Sequence, residues 1–259
     1  MRRGAHGPTQ RNRRGGGDDG SGADRTGDRG AAVTTVVVVQ ARTGATRYPE
    51  KVLADLCGRP VLEHVLTRAA RARCADAVVV ATTAGPGDDR VEALARSLGM
   101  AVTRGSETDV LGRYAPAARE HRADVVVRVT ADCPLLDPRL IDRVVRALLR
   151  EDAEYAGNVT PPTYPDGYDV EALTAACLGR LDAEASLPHE REHVTLRARD
   201  HPGSFRTATV RCRRDLSGIR LTVDVPDDLV RIRAVLGGMP ADPPPGLGAV
   251  LARLQEVRP

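Results

Sequence analysis

At 259 residues with 41% apolar side chains, the chain can bury one large core or two small ones; with no Trp, one Phe and five Tyr, that core has to be aliphatic. Five scattered cysteines, odd in number and without a CxxC pair, suit reduced thiols rather than a disulfide framework or a zinc site. The net charge of +3 sits in residues 1–33, where seven Arg face four Asp; the 31 basic and 31 acidic residues that follow (38 − 7 and 35 − 4) cancel, which argues against a nucleic-acid-binding surface.

In chain order, residues 1–33 come first, with nine of the 25 glycines and almost no large apolar side chain, so a disordered tail is expected. No apolar signal-peptide core and no run of about 20 apolar residues occurs, so a cytoplasmic protein away from the membrane is expected. From Val33 onward, short β-branched runs alternate with amphipathic stretches. Strands are expected at 34–40, 76–82, 100–104 and 124–130, with helices near 60–73, 87–98 and 108–122 between them. The valine runs fit strands buried on both faces, and this alternation implies an α/β protein with a mostly parallel sheet between helical layers. Asp137-Pro138 supplies an N-cap and a first-position proline for a further helix. The rhythm then loosens: strands at 155–158, 169–173, 205–211 and 219–224 follow with less helix between, which suggests added antiparallel strands. Pro226 with Asp227 and Asp228 opens another helix, and a Pro/Gly-rich linker from 237 leads to a short helix near 247–256. The expected organisation is a tail (1–33), one domain (34–236), and the linker with its terminal helix (237–259).

In open α/β sheets, ligands bind beyond the carboxyl ends of the strands. The first such stretch is RTGATRYPEK (42–51), directly after the first valine run. It holds Arg42, Gly44, Thr46, Arg47 and Lys51, and Lys51 is the only lysine among the 38 basic residues. A polyphosphate calls for this combination. Gly44 lets backbone N–H groups approach oxygens, Arg42 and Arg47 offer planar forks, and Lys51 is a compact point charge that can follow a moving phosphate. GxxxxGK[ST] and GxGxxG are both absent, so this is neither a Walker A nor a dinucleotide loop. A solvated basic turn would account for every residue here except the lysine.

The stretch QARTGATRYPEKVL (40–53) resembles the signature loop QARMGSTRLPGKVL of the cytidylyltransferase family, which includes acylneuraminate and 3-deoxy-manno-octulosonate cytidylyltransferases; the branch it resembles most is spore coat polysaccharide biosynthesis protein F. VVVATT (78–83), RGSETDVLGRY (104–114), RVTADCPLLDP (128–138), YPDGYDVE (164–171), PHEREHVT (188–195) and LTVDVPDDL (221–229) extend the resemblance across residues 34–236. It implies a nucleotide-diphospho-sugar transferase-like fold, CTP as donor, a CMP-linked sugar-like product, a homodimer, and Mg²⁺ held by Asp132 and Asp224. Four positions depart from the pattern: Thr43, Ala45, Tyr48 and Glu50 stand where Met, Ser, Leu and Gly are usual. Ala45 lacks a hydroxyl that could meet phosphate, and Glu50 places an anion next to Lys51.

Asp132 follows the fourth strand and Asp224 the last, so both carboxylates could meet at one sheet edge and hold a hard cation; each also fits a simple turn cap. Thr83 and Arg104 end the second and third strands. The resemblance places nucleotide contacts there, and ordinary turn residues read the same way. His189–His193 matches HExxH, but Leu196 stands where the extended zinc-protease motif needs Gly. Glu190, Arg191 and His193 are read instead as acceptor-binding, or as a salt-laced helix face. Asp169 and Glu171, amid Tyr155, Tyr164 and Tyr168, are read as acceptor-binding too, or as part of the chain's only aromatic packing.

Together these residues point to Mg²⁺-dependent nucleotidyl transfer. Arg42, Lys51 and Asp132 carry the catalysis; Gly44, Thr46, Arg47, Thr83 and Arg104 bind CTP; and a small sugar-like acceptor is the second partner. Nucleic acid and membrane are excluded as partners. A glycosyltransferase is the alternative enzyme, but Ala131-Asp132-Cys133-Pro134 lacks the Asp-x-Asp of that class. A non-catalytic nucleotide-binding protein is the alternative outside enzymes.

Overall fold

Valine runs carry the sheet. The computed structural model describes residues 33–201 and 203–257, so the tail expected at 1–33 lies outside the described residues except for Val33. The elements are β1 (Thr35–Gln40), a small hairpin of β2 (Asp55–Leu56) and β3 (Arg59–Pro60), α1 (Val61–Ala69), β4 (Ala77–Thr83), α2 (Asp89–Ser97), β5 (Ala101–Gly105), α3 (Val110–Glu120), β6 (Val125–Thr130) and α4 (Pro138–Arg150). There follow β7 (Tyr155–Gly157), β8 (Glu171–Thr174), α5 (Ala175–Glu184), α6 (Pro188–Glu192), α7 (Leu196–Asp200), β9 (Thr207–Thr209), α8 (Pro226–Leu236) and α9 (Leu247–Glu256).

The seven-stranded sheet runs β5-β4-β1-β6-β8-β7-β9. β5, β4, β1 and β6 are mutually parallel, and β8 is antiparallel to both its neighbours. Alternate side chains of a strand face opposite sides. Val36 and Val38 pack with α3 and α5 (Leu111, Tyr114, Leu178), while Val37 and Val39 pack with α1 and α4 (Leu62, Leu66, Ile141, Val144). Helices on both faces explain why four consecutive valines are buried, and the three-layer expectation holds.

The second half departs from expectation in two places. Residues 175–200, read as having little helix, form α5, α6 and α7. The apolar stripe of α5 is only Cys177, Leu178 and Leu181, interrupted by Gly179, too short to stand out as a period; the Thr174 hydroxyl, accepting from Cys177 N at 3.1 Å, caps it. Residues 219–224 are not a strand. Leu221 and Val223 are fully buried, hence the strand-like look. Their backbones bond to loops instead of a ladder: Leu221 N donates to Asp166 O at 2.7 Å and Val223 N to Asp132 O at 2.9 Å. The terminal helix forms as expected, and the linker before it is tied down where Arg68 Nη1 donates to Pro245 O at 2.8 Å.

One buried ion pair fixes the junction of parallel and antiparallel strands. Arg128 on β6 lies opposite Glu171 on β8, and its Nη1 donates to Glu171 Oε2 at 2.5 Å. The other Glu171 oxygen accepts from the Tyr155 and Thr195 hydroxyls, both at 2.7 Å. Burial alone would raise the Glu171 pKa, but the Arg128 charge outweighs it and holds the carboxyl below its usual range. Arg128→Ala would leave that carboxylate buried without its cation. The expected cost is about 3–5 kcal/mol, read as a lowered urea midpoint with an unchanged m-value.

Candidate active site

Three loops converge at the carboxyl edge of β1 and β6. The first follows β1. Its end turns through Glu50 in a left-handed conformation (φ 56°) into a short 3-10 turn, Lys51–Leu53, which delivers Lys51 inward. The second follows β6 and carries Asp132. The third precedes α8 and carries Asp224, pinned to the second by the bond from Val223 N to Asp132 O.

Lys51 Nζ joins them, donating to Asp132 Oδ2 at 2.7 Å and to Asp224 Oδ1 at 2.8 Å. Burial pulls the ammonium pKa down, but the two carboxylates, Asp132 foremost, outweigh it and hold the pKa above its ordinary value. Asp224 is held below the usual carboxylate range because hydrogen bonds from Lys51 and Arg220 overcome the effect of burial. Arg220 Nη2 reaches Asp224 Oδ2 at 2.6 Å, and Arg47 lies 3.2 Å from the same oxygen. Asp228, buried at the start of α8, accepts from the backbone N–H of Asp224 and Val225 and so sets the third loop.

The cleft beside this bridge is lined by Gln40, Arg42, Ala45, Lys51, Arg113, Thr130 and Asp132, together with Glu192 and His193. Gly44, Thr46 and Arg47 are exposed on the first loop. At Gly44 a Cβ would come within 3.0 Å of Glu107 Oε1, so a larger residue there would crowd that side chain. Glu50 does not oppose Lys51 as its sequence position suggested: its carboxylate accepts from Arg90 Nη1 at 2.6 Å.

Several expected ligand contacts are engaged within the protein. Thr83 is buried, and its hydroxyl donates to Asp88 Oδ2 at 2.5 Å. Arg104 braces the loop after β4 through Thr83 O (2.9 Å) and Gly85 O (2.8 Å) and pairs with Glu92 (2.7 Å). Glu171 is 1% exposed and fully bonded, which removes it from acceptor contact. Glu190 caps α6, accepting from Ser186 N and Leu187 N at 3.2 Å. Arg191 grips Asp109 in a bidentate pair (2.9 and 2.7 Å) and also bonds Asp182. Of the 189–193 segment, His193 and the unpredicted Glu192 face the cleft. His189 is exposed, and among the described residues no three His, Cys, Asp or Glu form a metal-binding group, so HExxH is not assembled as a zinc site.

Asp169 stands apart. Among the described residues it has no hydrogen-bond or ion-pair partner, and burial, with Asp166 and Glu171 nearby, pushes its pKa up to about 6.

Asp132 and Asp224 fit a hard divalent cation. They are two oxygen donors brought within reach of one shared cation, Lys51 Nζ, and Mg²⁺ is held through one or two carboxylates with phosphate and water oxygens completing the shell.

Sequence reasoning missed Asp88. It is 2% exposed and takes four hydrogen bonds, from Thr43 N and Oγ1 (both 2.7 Å) and from Thr83 N (3.1 Å) and Oγ1. It thereby clamps the start of the first loop to the end of β4. The adjacent acids Asp88-Asp89 after Gly-Pro-Gly read as a helix start, which hid this role.

A family model described as cytidylyltransferase matches residues 36–239. This chain belongs to the cytidylyltransferase family. It is 31% identical to the spore coat polysaccharide biosynthesis protein SpsF of Bacillus subtilis over 204 residues, covering 76% of this chain and 84% of the relative. It is 33% identical to a 3-deoxy-manno-octulosonate cytidylyltransferase of an Anaeromyxobacter species over 255 residues, covering 80% and 98%. Among solved structures, a cytidylyltransferase from Leptospira borgpetersenii superposes with a TM-score of 0.83 at 30% identity, covering 86% of this chain and 94% of that one. CMP:2-keto-3-deoxy-manno-octonic acid synthetase complexed with CTP shares the fold, with a TM-score of 0.59 at 20% identity over 79% of this chain and 98% of that one. The enzyme is therefore a nucleotidyltransferase, and the glycosyltransferase alternative falls away. Among the described residues no helix is long and apolar enough to cross a membrane.

The Asp88 clamp can be tested in this cytidylyltransferase. Burial alone would raise the Asp88 pKa, but the hydrogen bonds from Thr83 and Thr43 outweigh it and hold the carboxyl below the ordinary range. A depressed carboxyl pKa stabilises the fold fully above the unfolded value of about 4, and that stabilisation is lost as pH falls through the folded value. Asp88→Asn turns an amide NH₂ toward N–H and O–H donors. It is expected to cost about 1–3 kcal/mol at pH 7, and the gap to wild type should close below pH ~4, as read from urea midpoints across that range.

Proposed function

We propose that this chain transfers a cytidylyl group from CTP to a hydroxyl of a sugar-like, acidic acceptor, releasing pyrophosphate, with Mg²⁺ at Asp132 and Asp224. The observation that carries this reading is Lys51 bridging both carboxylates at 2.7 and 2.8 Å beside a cleft that also holds Arg42. Family membership supports the donor. The acceptor class rests on the relative that acts as a 3-deoxy-manno-octulosonate cytidylyltransferase and on the one named for spore coat polysaccharide biosynthesis.

In the reaction, the acceptor oxygen forms a bond to the α-phosphorus while the bond to the departing pyrophosphate breaks in line. The bound metal would supply charge neutralisation on the phosphate oxygens. Lys51 exchanges partners, its Nζ leaving the carboxylates for phosphate oxygens as the nucleotide arrives. Arg42 and Arg47 neutralise charge growing on the leaving group. The shell of ion pairs and hydrogen bonds around Asp88, Arg220 and Asp228 keeps these groups in place, so positioning and electrostatics supply most of the rate. His193 and Glu192 border the cleft. Asp169 does not line it but lies close enough to Asp132 to feel its charge, and it is the unpaired carboxylate we assign to take the hydroxyl proton.

Pyrophosphate release from each of the four nucleoside triphosphates with acidic keto sugars is the direct test. CTP is expected to be the productive donor, EDTA to abolish release and Mg²⁺ to restore it. Lys51→Ala should lower turnover by about 10²-fold or more; near-normal turnover would remove the bridge from the chemistry. CTP binding with no release under any acceptor would leave a nucleotide-binding protein.

A second expectation concerns pH. A base whose pKa is about 6 works only when ionised, so the rate should rise through pH 6 and level off above it. Asp169→Asn should erase that limb and reduce kcat by about 10²-fold. A pH profile identical to wild type would exclude Asp169 as the base.

A further inference from the structure

We propose that a second anion site, distinct from the cytidylyltransferase cleft, lies in the groove between the end of α1, the first turns of α4 and the Pro-rich segment 243–246, and that it binds an oligophosphate chain. The groove encloses about 460 Å³ and shares no lining residue with the Lys51 cleft. Five arginines line it: Arg71 and Arg73 just beyond α1, and Arg139, Arg143 and Arg146 along one face of α4.

What sets these arginines apart is that five of them surround one groove with little carboxylate to neutralise them. All five are exposed. Among the described residues, Arg73, Arg139 and Arg146 have no ion-pair partner, Arg143 donates only to the Tyr164 hydroxyl (2.6 Å), and Arg71 alone meets an acid, Asp242. The two acids in the lining are engaged by backbone. Asp137 accepts from Arg139 N and Leu247 N, and Asp142 from Cys74 N, all at 3.0 Å. Exposed arginines elsewhere are of both kinds: Arg90 and Arg231 pair with Glu50 and Asp228, whereas Arg119, Arg122, Arg211, Arg213 and Arg214 have no ion-pair partner among the described residues but do not line this groove.

The arrangement also works against its own helix. Arg139 and Arg143 are an i,i+4 pair of like charge, Arg143 and Arg146 an i,i+3 pair, and Arg139 sits in the first turn, where the helix dipole disfavours a cation. A bound polyanion reverses each of these terms, since it pairs with the guanidinium forks and lies near the helix N-terminus. The lining offers only Arg, Asp, Pro and Gly, with no aromatic ring to stack on a base, so the groove fits a chain of phosphates rather than a nucleobase or a nucleic-acid strand.

Isothermal titration of the full chain with sodium tripolyphosphate tests this. In Lys51→Ala, where the cleft's own triphosphate contact is weakened, one equivalent is expected to bind. Adding Arg73→Glu and Arg146→Glu should weaken that binding by at least about tenfold. Because both side chains are exposed and unpaired, the Arg73→Glu/Arg146→Glu pair alone should not lower the ligand-free Tm, relief of the Arg143–Arg146 repulsion tending to raise it slightly, and should leave cytidylyl transfer unchanged. Tripolyphosphate should bind at least as tightly as ATP, since nothing in the groove reads a base. No binding in Lys51→Ala, binding indifferent to the Arg73/Arg146 pair, or binding of ATP without tripolyphosphate would each overturn the assignment.

Discussion

The candidate active site depends on one ammonium shared by two carboxylates. Lys51, Asp132 and Asp224 come from loops 81 and 173 residues apart, and the bonds of 2.7 and 2.8 Å hold those loops in register. Two partly buried carboxylates this close repel unless a cation lies between them. An arginine would commit its planar fork to one of them. A lysine presents a compact charge with three rotatable donors, so it can bind both and then release them to a phosphate. That is a physical reason for a chain with 37 arginines to keep a single lysine at this position.

Around the bridge, rigid parts outnumber reactive ones. Asp88 fixes the start of the loop after β1, Asp228 fixes the loop before α8, and Arg128 ties the floor of the cleft together by donating to both Glu171 and, at 3.2 Å, Gln40 Oε1. Each is buried or half-buried and fully bonded, so none costs much reorganisation when ligand binds. Arg113 is the exception. It lines the cleft at 2% exposure, Nη1 donates to Ser106 O at 2.8 Å, and Nε has no partner, while burial lowers its pKa. A buried cation without a carboxylate raises the positive potential of the cleft, in keeping with an anionic ligand.

The sheet's first half was legible because its signals are local. Valine runs, amphipathic helices and the Asp137-Pro138 start can be read without knowing what lies next to them. Lys51, Asp132 and Asp224 were legible for a related reason, since residues that follow strands share one edge of the sheet. The acceptor-side assignments fared worse. Glu190 and Arg191 are polar residues in a short helix, and no local pattern says that one caps its own helix while the other grips Asp109 across 82 positions. Glu171 was read as acceptor-binding from its place on a strand amid tyrosines, yet its carboxylate is taken up by Arg128 on the neighbouring strand. Asp224 came out in the right place although its segment is not a strand, because its backbone is pinned to the Asp132 loop and so reaches the same edge.

Glu50 shows how a departure from the family pattern can be absorbed. The usual residue there is glycine, and the left-handed φ of 56° gives the reason, since only glycine enters that region without steric cost. A non-glycine residue is held there at a cost of order 1–3 kcal/mol when its surroundings fix the backbone. They do so here: Glu50 N donates to Thr43 O at 2.9 Å, and Leu53 N donates to Glu50 O at 2.8 Å. The first bond closes the loop and the second starts the turn that carries Lys51. The backbone conformation is therefore set by the loop, whichever residue occupies the position. The glutamate side chain then points to Arg90 on the outside, and the anion adjacent to Lys51 in sequence is removed from it in space. The bridge to Asp132 and Asp224 survives the substitution because the direction of Lys51 depends on this backbone turn and not on the identity of its neighbour.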